Sequence, residues 1–251
     1  MFFKKEKKLK NHPEEIVNFP MRLNRFMALR GLATRRGADE LITAGLVRID
    51  GRVARVGERI ESSQTVVELA EGAGMLQKDY IYIAYYKPRG IITHSPKRSE
   101  KSIQDISKIK GVFPVGRLDK DSEGLIILTN DGRVTERLLS PRFEHEKEYF
   151  VSIDEHWPHT IQQELERGIE ENGENLHAKK FLPINKNQAT IILTEGKKHE
   201  IRRMLAYFDL SVNELRRVRI MNVHAGSLRP GEGRELSGRA RAGFLKDLGL
   251  N

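Results

Sequence analysis

The chain has 251 residues, 44 Lys and Arg against 35 Asp and Glu, a formal net charge of +9 and no cysteine. The missing cysteine excludes disulfides, thiolate metal sites and a cysteine nucleophile; no apolar run approaches the ~20 residues of a membrane span, and the lysine-rich start lacks the apolar region of a signal peptide. The positive balance favours a polyanionic partner such as nucleic acid, and the length allows one large or two smaller domains, so a cytoplasmic, monomeric protein is expected.

Residues 1–19 are lysine-rich and poor in apolar pattern, and are expected to form a disordered basic arm. Between 21 and 63 every basic residue is arginine. Leu23, Phe26, Met27 and Ala28 share one face of a short helix. After a turn at Gly31-Leu-Ala, Thr34 can cap a second helix with Ala38, Leu41 and Ile42 on one side. Gly45 ends that helix, and Leu46-Val-Arg-Ile-Asp50-Gly51-Arg-Val reads as a hairpin with an Asp-Gly turn. The two helices carry Arg22, Arg25, Arg30, Arg35 and Arg36. Residues 20–70 are therefore expected to be a small helix-helix-hairpin domain that binds RNA; the plainer alternative is a solvated, arginine-rich surface.

A Gly-containing acidic link at 71–77 leads to a larger domain, 78–251. Residues 80–86 alternate as a strand and 87–90 form a turn. Further strands are expected at 112–115, 125–129, 148–153 and 189–193, and helices at about 133–139, 158–167 and 200–208. There is no internal repeat and no strict alternation of strand and helix with a glycine-rich phosphate loop. An α+β class with a mixed, largely antiparallel sheet follows.

Three carboxylates, Asp119, Asp121 and Glu123, occupy alternate positions of a polar turn between two apolar runs, with Arg117 just before them. A strand-turn-strand places such side chains at the rim of a sheet. Asp119-x-Asp121-x-Glu123-Gly124 opens like a calcium loop, but the ninth position is Ile127 and the twelfth, Asn130, cannot give the bidentate carboxylate such a loop needs. His156-x-x-His159 has no third ligand nearby and reads as a loop pair. No metal site is expected.

The longer motif, Phe113-Pro-Val-Gly-Arg-Leu-Asp119-Lys-Asp-Ser-Glu-Gly-Leu, resembles the catalytic motif of RNA pseudouridine synthases of the RsuA family. Lys147-Glu-Tyr149-Phe-Val resembles its tyrosine-bearing strand. Glu195-Gly-Lys-Lys-His-Glu-Ile-Arg202-Arg-Met resembles its basic helix start, and Leu215-Arg-Arg-Val-Arg-Ile-Met-Asn-Val its late leucine-bearing strand. The last segment, with His145-Glu-Lys-Glu-Tyr149, is most similar to the RluF branch. The resemblance spans roughly residues 21–238, and the first module resembles an RNA-binding domain shared with a small-subunit ribosomal protein.

The resemblance implies isomerisation of uridine to pseudouridine in ribosomal RNA, of the large subunit, without metal or organic cofactor. The reaction breaks the bond from uracil to ribose, turns the base and rejoins it through carbon. It needs a carboxylate, a platform for the loose base and a positive charge beside the acid. The family pattern selects Asp119 as the carboxylate; the residues alone do not separate it from Asp121 or Glu123. Carboxylates do attack sugar carbons, and action on the ring proton is the other route. Tyr149 would stack uracil and offer a phenol for proton exchange, although in a strand it is by default a core residue. Arg202 would pair with Asp119, Arg203 would meet phosphate, and Leu215 would wall the pocket. Arg117 would fill the space left by an unstacked uridine, or form a salt bridge to Asp121 or Glu123. The family usually carries glutamine where this chain has Glu200. A non-catalytic RNA-binding or ribosome-assembly protein of the same fold is the alternative.

Overall fold

A computed structural model describes residues 19–30, 32–70, 80–94, 96–97 and 99–250. The basic arm expected before residue 19 and the link expected at 71–77 lie outside the described residues. Two compact units emerge: the residues up to Tyr80 with Asp131–Arg133, and Ile81–Asn130 with the residues from Val134 on.

The first unit runs Met21–Arg22 (β1), Leu23–Leu29 (α1), Arg35–Thr43 (α2), Val47–Ile49 (β2), Arg52–Val53 (β3), Arg59–Ile60 (β4) and Val67–Leu69 (β5). Thr34 caps α2, its hydroxyl accepting the Gly37 N–H at 3.0 Å, an interaction of about 1 kcal/mol. The β2–β3 hairpin turns on Asp50 (φ 47°) and Gly51 (φ 83°), the two positive angles that a tight two-residue hairpin needs. The periodic apolar residues of both helices meet Val47 and Ile49 in one core; Met27 and Ala38 are wholly buried. The hairpin is extended to a three-stranded sheet by β5 beside β2, and β4 pairs with β1 in a separate two-stranded sheet; β4 and β5 are too short to show a pattern.

The second unit begins with Tyr82–Lys87 (β6), Ile103–Ile106 (α3), Phe113–Val115 (β7), Glu123–Thr129 (β8) and Arg133–Leu139 (α4). Lys147–Ile153 (β9), Ile161–Arg167 (α5), Ile169–Glu171 (β10), Glu174–Leu176 (β11), Lys180–Pro183 (β12) and Gln188–Leu193 (β13) follow. Glu200–Ala206 (α6), Val212–Ile220 (β14), Val223–His224 (β15), Gly233–Glu235 (β16) and Gly238–Asp247 (α7) complete it. Among the described residues a nine-stranded sheet runs β12-β13-β9-β14-β8-β6-β16, with β7 on β8 and β15 on β14. Every pairing in it is antiparallel except β14 with β8. The class is the expected mixed α+β.

The parallel joint rests on Gly124. Its φ is +105°, and a Cβ there would lie 2.3 Å from the carbonyl oxygen of its partner Arg217, so only glycine permits the approach. Strand β6 departs from its expected alternation: all six residues are buried. Ile83 and Tyr85 pack with Ile103, Ile126 and Leu128, while Tyr82 meets Phe244 of α7 edge-on at 6.2 Å. The strand is covered on both faces, and it takes in Lys87, which the sequence pattern places in the following turn. Helix α5 starts at Ile161 rather than 158, because Pro158–Thr160 form a turn in which the Ile161 N–H bonds the Pro158 carbonyl.

Candidate active site

A cleft of about 350 Å³ opens at the rim of the large sheet. The loop between β7 and β8 supplies Arg117, Leu118 and Asp119. Strand β9 supplies Lys147 and Tyr149, and β14 supplies Leu215 and Arg217. The start of α6 adds His199, Glu200 and Ile201. The acidic turn and the tyrosine strand lie on either side of β14 in the sheet order, so the parallel joint brings them to one opening.

Of the three carboxylates in the turn, Asp119 lines the cleft, whereas Asp121 and Glu123 are not among its lining residues. Glu123 is the first residue of β8 and faces Tyr86, whose phenol is pushed up to about 12, first by burial and then by that carboxylate. His199, held at a left-handed φ of 53°, puts Nε2 3.3 Å from Asp119 Oδ1. Behind the turn Lys87 is wholly buried, its ammonium donating to the carbonyls of Ser122 at 2.7 Å and Pro88 at 2.9 Å. Burial pushes Lys87 down to about 8, while the charges of Asp119, Glu123 and Asp121 hold it up.

Tyr149 is 8% exposed and Leu215 6%, and both belong to the core cluster beneath the cleft. The Arg217 guanidinium lies 6.0 Å from the Tyr149 ring centre. Arg217 is itself buried and donates through Nε to the Leu125 carbonyl at 2.7 Å. Lys147 donates to the His145 carbonyl at 3.1 Å; burial, reinforced by Arg217, lowers its ammonium to about 8.

Arg202 differs from expectation. It is not among the cleft residues, and its guanidinium bonds the Asp121 carbonyl at 3.1 Å and the Ser122 hydroxyl at 3.5 Å instead of the Asp119 carboxylate. The position beside Asp119 is taken by His199, the residue before α6, so Arg202 clamps the backbone of the turn. Arg203 is held by Glu171 and Glu174, at 2.6 Å from the latter, rather than left for phosphate. Arg117 is exposed at the cleft mouth, and the structure shows no salt bridge from it to Asp121 or Glu123. The cations that sequence reasoning missed are Lys87, Lys147 and Arg217. Lys87 carried a signal, a charge ending a strand of otherwise apolar and aromatic residues, whereas Lys147 and Arg217 stand in strands with other polar and charged residues and nothing local marks them as buried.

In the first unit Arg22, Arg25, Arg30, Arg35 and Arg36 are all exposed. Arg30 lies over the Phe26 ring at 5.0 Å. Among the described residues no carboxylate pairs with Arg22, Arg30, Arg35 or Arg36.

Residues 81–207 match the RNA pseudouridylate synthase family, and residues 21–66 match the S4 domain. The chain is 34% identical to the dual-specificity RNA pseudouridine synthase RluF of Escherichia coli strain K12, over 86% of this chain and 76% of that one. It is 33% identical to ribosomal large subunit pseudouridine synthase B of Bacillus subtilis, over 92% and 98%. A crystal structure of a pseudouridylate synthase superposes with a TM-score of 0.66 at 25% identity, covering 91% of this chain and 99% of that one. An S4 RNA-binding domain joined to an isomerase domain with an acid-bearing cleft is the class that fold and matches define. The chain belongs to the RNA pseudouridine synthase family.

Proposed function

We propose that this chain converts a uridine of large-subunit ribosomal RNA to pseudouridine, with Asp119 as the acting carboxylate and without metal or organic cofactor. The observation that carries the reading is the meeting of Asp119, Tyr149 and Leu215 at one cleft that the buried cations Lys147 and Arg217 also line. Uracil freed from its ribose needs a flat apolar slot in which to turn, and Tyr149 with Leu215 supplies one. Asp119 acts on the sugar carbon or on the ring proton, and in either case the anion is the working form. Lys87 and Arg217, fixed to backbone carbonyls before substrate arrives, supply positive potential there at no further ordering cost. The bond exchange is redox-neutral and adds no water, so no hydride, electron or metal-bound hydroxide is called for.

Arg117, at the cleft mouth, enters the duplex where the uridine has left its stack and meets phosphate. Arg202 serves substrate indirectly, through the turn it clamps. Residues 20–70 anchor RNA through Arg22, Arg25, Arg30, Arg35 and Arg36, and residues 78–251 perform the reaction in a cytoplasmic monomer. The Bacillus subtilis relative, named for the large ribosomal subunit, supports that choice of substrate. Purified protein should release tritium from 5-tritiated uridine in large-subunit RNA, and cells lacking the chain should lose a pseudouridine there. No label release, with a full set of pseudouridines in the mutant, would overturn the reading.

A further inference from the structure

Glu200 is a buried cleft group that the proposed chemistry leaves unused. Only 3% of it is exposed. Its Oε2 accepts the backbone N–H of Lys197 at 2.8 Å, whereas Oε1 is buried with no donor. The neighbouring acid is Glu195. Its carboxylate is bound by the Lys197 ammonium, and His177 Nδ1 lies 3.6 Å away. Two carboxyls side by side in a buried place are satisfied when one proton lies between them. Burial first, and then the charge of Glu195 and its hydrogen bond, raise Glu200 to about 7, against the Lys197 N–H. Burial also works to raise Glu195, but its bonds to Lys197 and Glu200 prevail and leave it lowered. From β9, Lys147 faces Glu200 and favours its ionised form.

The segment 195–199 is the link to catalysis. It carries Lys197, which Glu200 holds at its N–H and whose ammonium also bonds the Asn175 carbonyl at 2.6 Å. Two residues on it presents His199 to Asp119. We propose that Glu200 is a positioning residue that works as the neutral acid: by donating to Glu195 while accepting from Lys197, it fixes the loop that sets His199 against Asp119. Ionisation puts two like charges together and removes the one donor between them. The loop then loses its anchor, and turnover falls as pH rises.

This rests on the reading of the cleft as the pseudouridylation site, and the test keeps the two apart. Single-turnover formation of pseudouridine is measured from pH 6 to 8.5 for the wild type and for Glu200→Gln, whose amide donates and accepts at every pH. The ratio of variant to wild-type rate should rise about tenfold between pH 6 and 8, the change in neutral fraction of a group titrating near 7. Taking the ratio cancels titration of groups that Glu200 does not touch, those of the RNA among them. Glu200→Leu fills the same space without either bond and should be slow at every pH. Glu195→Gln removes the neighbouring charge and should shift the alkaline decline to lower pH, a test that holds even if Glu200→Gln fails to fold. A flat ratio, a Leu variant as fast as wild type, or an unmoved decline overturns the role of Glu200 while leaving the cleft reading intact. A wild type that makes no pseudouridine at any pH removes the cleft reading, and the proposal with it.

Discussion

The two units deploy positive charge in opposite ways. In the small S4 unit the arginines of β1, α1 and α2 are exposed, and Arg22, Arg35 and Arg36 have no carboxylate partner among the described residues. In the sheet unit three cations in or behind the cleft are buried and tied to carbonyls: Lys87 to Ser122 and Pro88, Lys147 to His145, Arg217 to Leu125. An exposed guanidinium keeps its counterions until phosphate displaces them, and this drives salt-dependent binding. A buried cation has already lost its water, so its field acts at full strength on a reacting group. One net charge therefore covers two tasks, and substitutions should separate them.

The largest effect should come from the cleft acid. Asp119→Asn should lower turnover by a factor on the order of 10³ or more while RNA affinity stays within about twofold, measured by tritium release and by filter binding. Substantial residual turnover would move the chemistry to Asp121 or Glu123. Next comes Tyr149. Tyr149→Phe keeps the stacking face and Tyr149→Leu removes it. A Phe variant near wild type beside a Leu variant slower by about 10–100-fold assigns the residue to stacking. Equal loss in both assigns it to the phenol, and no loss in either makes it a core residue.

Lys87→Met is the third. It leaves two carbonyls behind the acidic turn without their donor, so urea unfolding should show a loss of about 1–3 kcal/mol, with slower turnover. The pH dependence carries a sign. Burial holds the Lys87 ammonium at about 8 in the fold against the ordinary lysine value of 10.5, so between those values the unfolded chain binds more protons. Wild-type stability therefore gains from Lys87 as pH rises through that window, and the Met variant should gain less. An identical slope in the two proteins would mean that the ammonium is not desolvated.

In the first unit, Arg35→Ala with Arg36→Ala should leave saturated turnover unchanged. It should weaken RNA binding and flatten the plot of log affinity against log salt by roughly one unit per lost contact. The smallest effect belongs to Arg203, whose charge Glu171 and Glu174 already occupy: Arg203→Ala should leave that salt slope unaltered. A slope altered as much by Arg203 as by Arg35 and Arg36 would dissolve the contrast between the units.

Local patterns made much of the fold legible. The Thr34 cap, the Asp50-Gly51 turn and the helix at 133–139 each depend on residues close in sequence, and each stands where the pattern put it. Strands β4, β15 and β16 span two or three residues and exist because a partner strand lies beside them, so no periodicity could announce them. Helix α7 buries Phe244 as its core residue, too little to read as a face. At the cleft, the motif resemblance singled out Asp119, Tyr149 and Leu215, and the structure gathers all three. Arg202 meets the Asp121 carbonyl and not the Asp119 carboxylate, because helix spacing cannot tell which side of the acidic turn the start of α6 will meet. Glu200 was visible as an odd acid, but the proton it holds depends on Glu195 and on burial, and both are properties of the folded state.

The single parallel joint also dates the cleft within the life of the chain. Asp119 and Tyr149 leave the ribosome well before β14, yet the sheet reads β9-β14-β8, so the walls they stand on have no common strand until residues 212–220 arrive. Until then the domain is two part-sheets, and the edges of β8 and β9 that β14 will cover are open to other chains. Pairing across so many residues closes slowly, and the tightest approach in it, backbone against Gly124, admits no loose register. A nascent chain can thus display its acidic motif and its S4 arginines while it is still inert, and a product ending before residue 212 would bind RNA without modifying it.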